Sequence, residues 1–123
     1  MLIAFLLGLL AVGAITIIVL MVLTVKWLYE KLHERLNANS KYKVAFMDLK
    51  ESITPEVVEE LKKKKKFSMS DLEDMCCKAP YVMADIDMDT GTIMNYTGIK
   101  ADEVETELKE KIKRRGGVLV VNN

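Results

Sequence analysis

The sequence predicts a small mixed α/β domain carried behind one membrane-spanning helix. Three observations predict it. Residues 1–25 hold no charged side chain, no Pro, no Asn and no Gln. Residues 42–49 and 81–87 alternate apolar and polar at the period of a strand. Elsewhere apolar residues recur at helical spacing behind capping residues. The predicted order after the span is β-α-α-β-β-α-β, a small mixed sheet with helices on at least one face.

The span comes first. As a helix the apolar run would be roughly 36 Å long, enough to cross a bilayer core with some tilt. It is too long for the apolar region of a signal peptide, and no basic side chain precedes it. Lys26, Lys31, Arg35, Lys41 and Lys43 follow closely. Basic residues flanking a span stay cytoplasmic, so the N-terminus is expected outside and the domain in the cytoplasm. Lys26, Trp27 and Tyr29 are the expected membrane-interface residues, since amphipathic rings favour the headgroup level. Ala4 and Gly8 form a small-residue pair suited to helix–helix packing. No ionisable residue interrupts the run, which argues against transport or proton conduction by this helix.

Residues 26–40 extend the span as a juxtamembrane helix and linker. Leu28, Leu32 and Leu36 recur at i, i+4, i+8 as one buried stripe. His33, the one histidine, lies beside that stripe and reads as a surface or packing residue. The domain proper is expected over 41–123 and to fold without the span. Tyr42, Val44 and Phe46 share one face of its first strand. Thr54-Pro55-Glu56 opens a helix with a cap, a first-position proline and a carboxylate at the positive helix end. Ser70 and Glu73 form a capping box for a short helix carrying Leu72, Met75 and Cys76, which Pro80 ends. Val82, Ala84 and Ile86 line a second strand. A turn over Met88–Gly91 returns it as a hairpin with residues 92–96. Asp102–Glu105 starts a helix with a Val104, Leu108, Ile112 stripe and a basic last turn, closed by Gly116-Gly117. Val118–Val121 is an unbroken apolar run, expected as a strand buried on both faces or central in the sheet and pairing in parallel with an earlier one.

Composition narrows the function. The chain has 123 residues, 18 basic and 18 acidic. That neutral balance argues against a dedicated nucleic-acid binder. The two cysteines, Cys76 and Cys77, are adjacent, which fits a reducing compartment better than a disulfide framework. With so few thiolate and imidazole ligands no zinc site is expected. Asp85, Asp87 and Asp89 resemble the start of a calcium loop. The glycine and closing glutamate that such a loop needs at its sixth and twelfth positions are Thr90 and Tyr96 here. The cluster therefore reads as a polar hairpin end, with a metal site as its alternative. Lys62, Lys63, Lys64, Lys65 and Lys66 read as a solvated helix end, with contact to an anionic surface as the alternative.

These features lead to a single-pass membrane-anchored adaptor, regulator or accessory subunit acting through its cytoplasmic domain. Its expected partners are the bilayer and a second protein or its own copy. No cofactor, catalytic residue or small-molecule substrate is expected. The competing readings are a membrane-tethered, metal-dependent enzyme using Asp85, Asp87 and Asp89, and an anionic-lipid sensor using the lysine run.

Overall fold

The computed structural model of the chain describes residues 16–38, 41–63, 68–90 and 93–121. In chain order the elements are β1 (Thr16–Leu23), α1 (Val25–Ala38), β2 (Tyr42–Asp48), α2 (Leu49–Ser52), α3 (Pro55–Lys62) and α4 (Met69–Lys78). They continue as β3 (Tyr81–Asp87), β4 (Ile93–Val104), α5 (Thr106–Arg114) and β5 (Val118–Val121). The strands form one five-stranded sheet in the order β1-β4-β3-β2-β5. β1 runs parallel to β4, and the other neighbours are antiparallel. The expected mixed α/β sheet is therefore present, with a fifth strand.

That fifth strand comes from the expected span. Residues 16–23, read as the end of a membrane-spanning helix, form an edge strand instead. Thr16-Ile-Ile-Val is β-branched throughout, and such side chains fit a pleated surface better than a helix. Parallel pairing with β4, from Thr16 opposite Thr97 to Leu23 opposite Val104, satisfies one side of its backbone. Among the described residues no helix is long and apolar enough to cross a membrane. Residues 1–15, with Ala4 and Gly8, lie outside the described residues.

Two apolar clusters sandwich the sheet. On one face, Leu28, Leu32 and Leu36 of α1 and Leu108 and Ile112 of α5 meet Val44, Phe46, Met83 and Ile99. On the other, Leu49, Leu61 and Leu72 from α2, α3 and α4 meet Met47, Val82 and Ala84. This explains why β3 is buried from Val82 through Ile86 without alternation: helices cover both its faces. Leu23, Leu28 and Leu32 are fully buried, so the core includes residues before position 41. Among the described residues the packed core reaches back to β1.

Local signals explain most boundaries. Thr54 accepts the Val57 N–H at 3.3 Å, with Pro55 at the first helical position, as its sequence predicts. α4 starts two residues before the expected box: Ser68 caps it by accepting the Asp71 N–H, and Ser70 falls inside the first turn. α5 begins at Thr106, without a side-chain cap of its own. Val104 belongs to β4, which runs eight residues past the expected hairpin strand because β1 pairs with that extension. The freed Glu105 carboxylate instead accepts the Val25 N–H at the start of α1, 3.3 Å away. β5 pairs antiparallel with β2 at the far edge, not in parallel or centrally. Its unbroken apolar run follows from contact with both clusters, through Val118 on one face and Leu119 and Val121 on the other.

Candidate functional site

β2 and β4 run in the same direction on either side of β3. Where their carboxyl ends meet the start of β3, a cleft of about 520 Å³ opens. Crevices outside the carboxyl ends of strands are the usual ligand positions in open α/β sheets. The walls are Asp48 and Lys50 at the β2–α2 junction, Pro80 and Tyr81, Ala101–Val104, and Lys109 of α5. A recess of about 210 Å³ shares Asp48, Tyr81 and Lys109 and adds Glu51, Ile112 and Lys113.

The floor is held by the backbone. Asp48 caps α2, its carboxylate accepting the Lys50 and Glu51 N–H groups at 3.1 and 3.2 Å. Its own N–H donates to the Gly117 carbonyl at 2.8 Å, and Leu49 donates to the Pro80 carbonyl at 2.9 Å. Burial pushes the Asp48 carboxyl above the ordinary carboxylate range, opposed by the two N–H groups it accepts. Tyr81 stacks on Phe46 with ring centroids 5.6 Å apart. Burial, and secondarily the Asp48 charge, raise its phenol. The cleft thus joins a proton-retaining phenol to flanking ammonium groups of Lys50, Lys109 and Lys113. With Asp48, Glu51, Asp102 and Glu103 beside those lysines, the lining is of mixed charge and suits a polar group. Asp48-Leu-Lys-Glu51 has the pattern of a capping box, a signal that could have located this junction from sequence.

The acidic hairpin is divided among other tasks. Asp85 is buried and receives Arg35 of α1, Nη1 to Oδ1 at 2.9 Å. Asn95 donates to its other oxygen at 3.4 Å, and Arg35 also donates to the Thr97 hydroxyl. Asp87 accepts the Asp89 and Thr90 N–H groups at 2.9 and 3.3 Å, which shapes the turn. Asp89 is exposed in that turn. Among the described residues no group of three His, Cys, Asp or Glu side chains is placed to hold a metal ion. The pairing of Arg35 with Asp85 escaped sequence reading because Arg35 sits in a run of alternating charges, and only the fold brings the two together.

The remaining candidates are scattered. Lys62 and Lys63 end α3 beside Glu59 and Glu60, at 3.8 and 3.4 Å. Lys64, Lys65 and Lys66 lie outside the described residues. Lys26 is exposed. Trp27 and Tyr29 are half-buried against the first cluster, with Lys31 and Lys111 lying 5.9 and 4.7 Å from their ring centroids. Cys76 packs partly against the second cluster and Cys77 is exposed. Burial, and then Cys77, push the Cys76 thiol up. Comparison with protein-family models, with curated proteins and with solved structures returned no match.

Proposed function

We propose that this chain is a membrane-anchored adaptor, regulator or accessory subunit whose α/β domain lies on the cytoplasmic side. One observation carries this reading: residues 1–15, which lead directly into β1, hold no charged side chain and no polar linker. Such a run favours hydrocarbon, while the lysines and the arginine after it favour the cytoplasmic side. In the domain behind it, Asp85 and Asp87 are engaged in structure. Its cleft offers a partner a recess around Tyr81 lined by both lysines and carboxylates.

Alkaline carbonate extraction of the expressed full chain tests the anchoring, and a reporter fused after Asn123 tests the side. The expected result is retention in the membrane pellet with a reporter active only inside the cell. Release into the supernatant, or a reporter active only outside, would overturn the reading.

A further inference from the structure

We infer that the outward face of β1 rests on the bilayer surface while the strand stays in the sheet. The inference rests on the membrane-anchored reading and adds the surface by which the domain sits. Ile17, Val19 and Met21 point to one side of β1, since side chains alternate along a strand. Val19 is 71% and Met21 80% exposed. The intervening Ile18 and Leu20 turn the other way and pack against the first cluster. The helices on the outward side serve a cluster built on β2 and β3, and no β1 residue belongs to it.

This is an unusual edge. Edge strands of water-facing sheets are commonly blunted by charges, prolines or bulges. β1 reads Thr-Ile-Ile-Val-Leu-Met-Val-Leu, with none of these. Its occupant follows from continuity. The strip is the direct extension of apolar residues 1–15, so a surface that takes up that run also meets the start of β1. A second copy pairing along the edge would engage the β1 backbone and leave the outward side chains uncovered. Lys100, opposite Val19, and Lys26, just past the strand, are both exposed and supply ammonium groups for lipid headgroups. Asp102 falls beside Met21 and Glu103 opposite Val22, so contact centres on Ile17 and Val19, next to Lys100.

The test is a nitroxide scan of the full chain. Cys76→Ala and Cys77→Ser remove the native thiols, and single cysteines are placed at positions 17 to 21. The protein is reconstituted in phosphatidylcholine–phosphatidylglycerol vesicles and checked by flotation. Accessibility is then read with oxygen, which partitions into lipid, and with a water-soluble nickel chelate. The expected result is severalfold higher oxygen accessibility at 17, 19 and 21 than at 18 and 20, with the chelate excluded from 17, 19 and 21. Oxygen maxima every three to four residues would show a helix there and overturn the inference, as would free access of the chelate to 19 and 21. Dipolar broadening between labels at 19 would show a pairing of copies and overturn it too. In those cases flotation would still leave the anchoring reading standing. Failure to float would overturn both.

Discussion

Gly117 sets the geometry where α5 returns to the sheet. Its φ is +90°, and an added Cβ would lie 2.8 Å from the Ser52 backbone nitrogen. Gly116, at φ +66°, has open space around it. The two close α5 as a Schellman motif, Gly116 donating to the Lys113 carbonyl and Gly117 to that of Ile112. Gly116→Ala is expected to cost about 1 kcal/mol from its left-handed backbone alone. Gly117→Ala adds a backbone clash and should cost about 3 kcal/mol, read as a larger fall in the urea midpoint. The glycine pair was legible as a helix stop, but the closeness of Ser52 was not, because it lies across the fold.

Asp48 gives the residue scale its pH dependence. The folded carboxyl keeps its proton to a higher pH than the unfolded one. Between those two values the folded state binds more protons, so stability falls as pH rises through the window and stays lower above it. Asn is also a good N-cap. Asp48→Asn should therefore keep α2 and abolish this fall, measured as urea midpoints that no longer drop across the window. An unchanged decline would assign the effect to another group.

At the scale of elements, α1 is tied to the sheet by packing and by charge. Its Leu28, Leu32 and Leu36 stripe was plain from spacing, because a surface helix shows its buried face directly in its period. Leu32 is fully buried, and Leu32→Ala is expected to cost about 3 kcal/mol in chemical denaturation. The Arg35–Asp85 bond spans fifty positions and left no local trace. Asp85→Ala would leave the guanidinium half-buried and without its carboxylate, at a cost of about 2 kcal/mol. Pairing it with Arg35→Met should recover part of that loss, and a double-mutant cycle measures the coupling. β1 was read as helix because a continuous apolar run has no period to separate strand from span. Its partner, the second half of β4, alternates at Ile99-Lys100-Ala101-Asp102, but Asp102–Glu105 also has the acidic pattern of a helix start, which hid the strand.

For the whole molecule, the described end of the apolar run, residues 16–23, belongs to the folded domain. Leu23 of β1 and the three leucines of α1 belong to the first cluster. At about 2 kcal/mol each they contribute on the order of 8 kcal/mol, as much as the net stability of many domains. The mixed sheet and its helices were foreseeable from capping and periodicity, whereas the place of residues 16–23 in it was not, since hydropathy alone assigns those residues to lipid. The cleft was equally hidden, being assembled from β2, β3, β4 and α5. The most direct measurement compares urea unfolding of residues 16–121 with that of residues 41–121, followed by far-ultraviolet circular dichroism. The longer chain should unfold in one cooperative transition, and the shorter should show none. A cooperative transition of equal midpoint in residues 41–121 would contradict the place of β1 and α1 in the fold.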